Sequence, residues 1–235
     1  MLKAVLFDLD NTLYSYTHAN NKGLYKSLKK FCACTNTAYK KAAAAHDRIR
    51  LELKEDLDNA PACHNRVLFY KRMFEEVKKV VDYKQVLKVY RTYWRFFYKN
   101  IKPACGLLKV MSRLRELGLK TAVVSNYVSS HQLKKLSLLK LASFFDAVVI
   151  SEEVGLEKPA PGIFAYTLDK LALKPQAAVM VGDNYRADIK GAAACTIKTV
   201  LTAEFSEQPP EKQSADYHIK RLDELPGLLQ RENFC

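Results

Sequence analysis

No part of the 235-residue chain approaches the ~18 consecutive apolar residues that a membrane-spanning helix needs, although 49% of its residues are apolar. No Cys-x-x-Cys pair occurs among the six cysteines (Cys32, Cys34, Cys63, Cys105, Cys195 and Cys235), and their spacing matches neither a zinc site nor a disulfide framework. The one close pair, Cys32 and Cys34, reads as two small apolar residues on a helix. Reduced thiols fit the cytoplasm. No charged-then-apolar leader precedes the first strand-like segment, so a cytoplasmic location is expected. There is no internal repeat, and the only biased tract is Ala42 to Ala45, a good helix former.

The middle of the chain is short of acid. Residues 15–102 hold 20 of the 38 Lys and Arg but only 8 of the 25 Asp and Glu, a net charge of +12, while the rest of the chain carries +1. A near-neutral body with a strongly basic insert attracts anions: phosphorylated metabolites, nucleic acid or acidic lipid.

Five short apolar runs read as buried strands: Lys3–Asp8, Leu119–Ser125, Asp146–Ile150, Ala177–Gly182 and Ile197–Leu201. Helical periodicity fills the intervals, over Leu107–Leu117 ending at Gly118, Gln132–Leu141, Ile163–Leu171 and Ala187–Ala194. Alternating strand and helix predicts a parallel α/β sheet with helices on both faces, whose site lies beyond the carboxyl ends of the strands. Residues 15–102 break the rhythm. They hold no convincing strand, and four helical stretches are expected at Leu24–Phe31, Ala38–Leu53, Val67–Val81 and Val86–Phe97. The expected organisation is a core of residues 1–14 and 103–235 with an all-helical domain, 15–102, inserted after the first strand. Residues 204–214 read as an exposed loop before a last short strand at Tyr217 and a final helix.

The polar residues of interest sit where apolar runs end. In Phe7-Asp8-Leu9-Asp10-Asn11-Thr12-Leu13 two carboxylates are separated by one residue, so both reach one face. Close carboxylates repel, which raises one pKa or recruits a metal ion. Asp8 is then placed to attack phosphorus and Asp10 to protonate the leaving oxygen. Ser125-Asn126 ends the second run. Its hydroxyl either bonds a phosphate oxygen or caps the helix that follows. Lys158 precedes Pro159, which favours an extended, aimed side chain, though a solvated lysine fits the sequence as well. Gly182-Asp183 ends the fourth run, and Asp188 follows in the first turn of a helix. Hard oxygen ligands near a phosphate favour magnesium, while Asp188 also suits a helix N-terminus.

Together these four segments resemble the haloacid dehalogenase-like hydrolase superfamily: Asp8-Leu9-Asp10-Asn11-Thr12-Leu13, Ser125, Lys158-Pro159, and Gly182-Asp183 with Asp188, in order along almost the whole chain. The resemblance implies a Rossmann-like body with a helical cap inserted after the first motif. It implies that Asp8 forms an aspartyl phosphate and Asp10 serves as acid and then base. Thr12, Ser125, Asn126 and Lys158 would bind the phosphoryl group. Mg²⁺ would be held by Asp8, Asp10 through its carbonyl, and Asp183, with Asp188 a ligand or an outer partner. The implied reaction is Mg²⁺-dependent hydrolysis of a small phosphorylated metabolite. The cap is expected to hinge near residues 14–17 and 102–104 and close over the substrate.

Within the superfamily, dehalogenases lack the second acid of the first motif, which Asp10 supplies here. Sugar-phosphate mutases carry a histidine ten residues after that acid, a position that is Asn20 in this chain, with His18 out of register. Hydrolysis therefore ranks above both. A non-enzymatic basic module is the rival, but such a module has no use for Asp8, Asp10, Lys158 and Asp183 together. A receiver-like phospho-accepting switch is disfavoured by the large insert. The aromatic, basic run Tyr90–Lys99 reads as an amphipathic helix with its rings turned inward rather than a stacking platform for single strands, so no nucleic-acid partner is expected, nor a membrane.

Overall fold

Short β-branched and alanine-rich runs too apolar to face water on either side need a sheet covered on both faces. The chain forms one. A computed structural model describes residues 1–57, 61–206 and 214–231. Strand β1 (Ala4–Phe7) is followed by helices α1 (Tyr16–Thr35), α2 (Tyr39–Asp56), α3 (Arg66–Val77) and α4 (Tyr83–Lys99). Then come α5 (Leu107–Glu116), β2 (Lys120–Ser125), α6 (Ser129–Leu138), β3 (Ala147–Ile150), α7 (Ser151–Val154), α8 (Pro161–Leu171) and β4 (Ala178–Gly182). A π-type turn (Tyr185–Lys190), α9 (Gly191–Ala194), β5 (Lys198–Thr202), β6 (Tyr217–Ile219) and α10 (Leu225–Arg231) complete it.

The six strands are all parallel, in the order β3-β2-β1-β4-β5-β6. This is a Rossmann-like sheet. Connections leave β1 toward β2 on one side and arrive at β4 on the other, so the strand order reverses there and a crevice opens at the carboxyl ends of β1, β2 and β4. Register aligns those ends: Phe7 pairs with both Val123 and Val181, and the Asp8 amide donates to the Val181 carbonyl at 2.9 Å.

Side-chain alternation covers the two faces. Ala4 and Leu6, Ala122 and Val124, Ala147 and Val149, and Ala178 and Met180 point to one face, where they meet Ile163, Phe164, Leu168 and Leu171 of α8. The intervening Val5, Phe7, Val123, Val179 and Val181 are equally buried. Pro161 starts α8, where its missing N–H costs nothing. Gly118 closes α5 at φ 70, a left-handed conformation that glycine adopts freely, and turns the chain into β2. Of the loop expected over 204–214, residues 207–213 lie outside the described residues.

The chain divides into two compact units, Met1–Ser15 with Lys102–Cys235, and Tyr16–Ile101. In the first, the segment after the first motif runs beside the returning chain. Ser15 donates to the Lys102 carbonyl at 2.9 Å, and Ala104 to that of Leu13 at 3.0 Å. The regular elements among the second unit's described residues are all helical. Asn65 and Asp82 cap α3 and α4 by accepting from Val67 and Lys84. Helix α4 buries Val86, Val89, Tyr93, Trp94 and Phe97 at helical spacing, which turns three rings of the Tyr90–Lys99 run inward. No helix among the described residues is long and apolar enough to cross a membrane.

Phe164 anchors the layer between α8 and the sheet and is fully buried. Phe164→Ala is expected to destabilise the fold by about 3–5 kcal/mol, against less than about 0.5 kcal/mol for the exposed neighbour Tyr166→Ala. Urea unfolding of the two variants measures the difference, and equal midpoints would contradict this account of the core.

Candidate active site

β1 ends in Phe7, and the next residue, Asp8, is carried past the sheet edge with its carboxylate almost wholly buried. The chain then turns sharply. Asn11 takes φ 63, a left-handed conformation that asparagine tolerates better than most residues, and its amide donates to the Tyr14 carbonyl at 3.0 Å. The turn returns Asp10 toward β2 and α6. The Asp10 carboxylate does not join that of Asp8 in one cluster. It accepts from the Tyr14 hydroxyl at 2.6 Å and takes Lys135 Nζ on both oxygens at 2.9 Å.

Lys158 Nζ lies between two acids, 2.6 Å from Asp8 Oδ1 and 2.7 Å from Asp188 Oδ1. Its position is fixed through its backbone. The Asn126 side chain donates to the Lys158 carbonyl at 2.9 Å and accepts from its amide at 2.8 Å. The side chain of Asn126, expected among the phosphate contacts, is thus engaged in holding Lys158. The Lys158–Pro159 peptide is cis. Ser125, fully buried at the end of β2, accepts from Gln132 Nε2 at 2.6 Å, which leaves its own O–H to donate elsewhere. It does not cap α6, which starts after Val128 without a side-chain cap. Thr12, also buried, has its hydroxyl 3.4 Å from Asp183 Oδ1.

Asp188 sits on the π-type turn after β4. The Asn184 carbonyl accepts from the amides of Asp188 and Ile189, which widens the turn. Asn184 caps the turn by accepting from Arg186 and Ala187, and Asp188 Oδ2 accepts in return from the Asn184 amide at 3.0 Å. So Asp188 serves the helix start with one oxygen and Lys158 with the other. Gly182 makes room for it. A Cβ at Gly182 would lie 2.3 Å from Asp188 Oδ2 and 2.5 Å from its Cβ, so the glycine is needed for close approach rather than for a turn.

Asp8, Asp183 and Asp188 each present a carboxylate oxygen within 4.8 Å of the others. Burial, with the Asp188 and Asp10 charges, pushes Asp8 up to about 7 against the pull of Lys158. Burial, with the Asp8 and Asp188 charges, pushes Asp183 up to about 8. For Lys158 burial disfavours the charge, but Asp188 and Asp8 outweigh it and hold the ammonium above the ordinary lysine range. When ionised, these three carboxylates outnumber the one ammonium by two charges, an excess that suits a divalent cation with a preference for oxygen ligands. The acidic group can bind a metal.

Lys135, Gln132 and Tyr14 escaped the sequence reading. Helix α6 buries Gln132 and Lys135 on the same face as Leu136, while Leu133 and Leu138 are exposed. In the insert, Asn20, where the mutases carry histidine, accepts from Arg66 at 2.9 Å and from the Tyr93 hydroxyl at 2.8 Å. Arg66 also donates to the Tyr16 hydroxyl and lies 3.9 Å above the Tyr93 ring.

A profile described as haloacid dehalogenase-like hydrolase matches residues 2–196. A ribulose-1,5-bisphosphate 5-phosphatase of Halopiger xanaduensis is 33% identical to the chain, over 97% of this chain and all of that one. A glyceraldehyde 3-phosphate phosphatase of Methanopyrus kandleri is 30% identical over 98% of each. A solved structure described as a HAD phosphatase from Thermococcus onnurineus superposes with a TM-score of 0.75 at 27% identity, over 97% of this chain and 98% of that one. The strand-end motifs, the parallel sheet that aligns them and these full-length likenesses lead to one conclusion: the chain belongs to the haloacid dehalogenase-like hydrolase family.

Proposed function

We propose that this protein is a Mg²⁺-dependent phosphatase that releases phosphate from a small phosphorylated metabolite through an aspartyl phosphate on Asp8. The observation that carries the reading is the Lys158 ammonium between Asp8 and Asp188, with Asp183 completing a group of three acids at one sheet edge. A phosphate monoester is an anion, and an anionic nucleophile reaches it only where positive charge offsets both. The residues 1–15 and 102–235 form the catalytic body in this reading, and residues 16–101 form its helical cap.

In the first step an Asp8 oxygen attacks phosphorus, the bond to the leaving oxygen breaks, and that oxygen takes a proton from Asp10. In the second, water attacks the phosphorus of the aspartyl phosphate, Asp10 takes the water proton, and the bond to Asp8 breaks to release inorganic phosphate. Lys158 stays charged and offsets Asp8 and the phosphoryl group. The Ser125 hydroxyl and Thr12 donate to phosphoryl oxygens, while Asn126 contributes by fixing Lys158. Mg²⁺ would be held by Asp8, Asp183 and the Asp10 carbonyl, with Asp188 as the third acid of the group, and would supply charge neutralisation of the transferring phosphoryl oxygens. Support for a sugar-phosphate type of substrate comes from the printed activities of the relatives above and from the basic charge of the insert.

Asp8→Asn is expected to lower phosphate release from p-nitrophenyl phosphate by roughly 10⁴-fold or more. Activity within tenfold of the unaltered protein would exclude Asp8 as nucleophile.

Stability and metal binding should also be linked through pH. Asp8 and Asp183 are raised from 3.8 to about 7 and about 8. The fold favours their protonated forms, so their contribution is fully present below the unfolded value and is lost as pH rises through about 7 to 8. A cation binds only the ionised forms. Thermal melts of metal-free protein should show these groups costing stability between pH 5 and 8.5. Added Mg²⁺ should raise the melting temperature more at pH 8.5 than at pH 5. An equal rise at both pH values, or none, would contradict the assignment of the acidic group.

A further inference from the structure

Lys135 is the largest completely buried charged side chain among the described residues, and it lies outside the acid group at Asp8. Taking an ammonium out of water costs several kcal/mol unless it is well paired. Here both Asp10 oxygens accept from it at 2.9 Å, and its Nζ lies 4.7 Å from the centre of the Tyr127 ring and 5.7 Å from that of Tyr14. Tyr14, itself fully buried, adds a 2.6 Å hydrogen bond to Asp10 Oδ1. Helix α6 brings this lysine inward beside Leu136 while Leu133 and Leu138 stay exposed. A charge buried where an apolar side chain would pack at lower cost marks a place where function outweighs stability.

On the phosphatase reading above, we propose that Lys135 is a positioning residue, which with Tyr14 fixes the Asp10 carboxyl for proton exchange with the leaving oxygen and with water. Left alone, an aspartate at a turn samples several rotamers, and a carboxyl a single ångström out of place loses much of its catalytic value. Three hydrogen bonds hold this one. They are unevenly divided. Oδ1 takes two donors and Oδ2 one, so Oδ2 keeps the greater lone-pair capacity for exchange with substrate. The same helix carries Gln132, one turn earlier, onto the Ser125 hydroxyl. One helix face thereby sets two groups of the site.

The test is Lys135→Met, which keeps most of the length of the side chain and removes its charge, leaving Asp10 with its partial solvent exposure and the Tyr14 hydroxyl. Single-turnover release of the leaving group is followed for two substrates. The alkoxide of glyceraldehyde 3-phosphate needs a proton to depart, while p-nitrophenolate leaves as a stable anion. The expected result is a loss of about 10²-fold or more with glyceraldehyde 3-phosphate and less than about tenfold with p-nitrophenyl phosphate, with Lys135→Arg recovering most of the difference. Equal losses on the two substrates, or no loss on either, would overturn the proposal. If the unaltered protein released phosphate from neither substrate, the phosphatase reading would be the one that failed. A crystal structure of the Lys135→Met variant then decides the role of Lys135 independently. An Asp10 carboxyl swung off Tyr14 supports it, and a carboxyl unmoved on Tyr14 overturns it.

Discussion

One buried ammonium holds this site together. Lys158 joins the acid that ends β1 to the acid on the turn after β4, 2.6 Å from one and 2.7 Å from the other. Without it, carboxylates from two neighbouring strands would be driven apart by repulsion or would take up protons. With it, they stay within reach of one another. Everything around it serves that contact. Asn126 grips the lysine by both ends of its peptide, and Gly182 gives up a side chain so that Asp188 can approach. The parallel register brings Phe7 level with Val181 so that Asp8 and Gly182 leave the sheet side by side. The lysine only partly neutralises the three acids, and the remaining negative charge is what makes the place receptive to a divalent cation.

Most of the sheet was legible in the sequence because a strand buried on both faces has a simple signature. Five apolar runs became β1 to β5 with boundaries shifted by one residue or so, and the short strand at Tyr217 followed. Asp8 and Asp183 stood out for the same reason, since a charge that ends an apolar run has nowhere to go but the carboxyl edge of the sheet, whereas Lys158 ends no such run and only the family resemblance singled it out. Helix ends were less legible. Helix α1 begins at Tyr16 and runs to Thr35, well beyond Leu24–Phe31, because its polar first turns carry little apolar periodicity. The turn around Asp188 is of π type, set by a hydrogen bond from Ile189 to the Asn184 carbonyl that no composition rule reveals.

The least legible residues are those whose burial contradicts their type. Gln132 and Lys135 look like solvent-facing residues, yet α6 buries both beside Leu136 and leaves Leu133 exposed. Hydrophobic periodicity finds the face that packs when packing is the only demand, and it fails where a helix must deliver polar groups to a site. Asn126 shows a milder form of the same difficulty. Its place at a strand end is visible in the sequence, but its attachment to a residue 32 positions away is not. Such mismatches between residue type and burial mark where function outweighs stability.

The proposed hydrolysis consists of two successive displacements at phosphorus, the first by Asp8 and the second by water. The most direct measurement is the stereochemical course of hydrolysis of a phosphate monoester made chiral with oxygen isotopes. Two in-line displacements predict overall retention of configuration in the transferred phosphoryl group. Inversion would mean that water attacks the substrate directly, and would contradict the role given to Asp8.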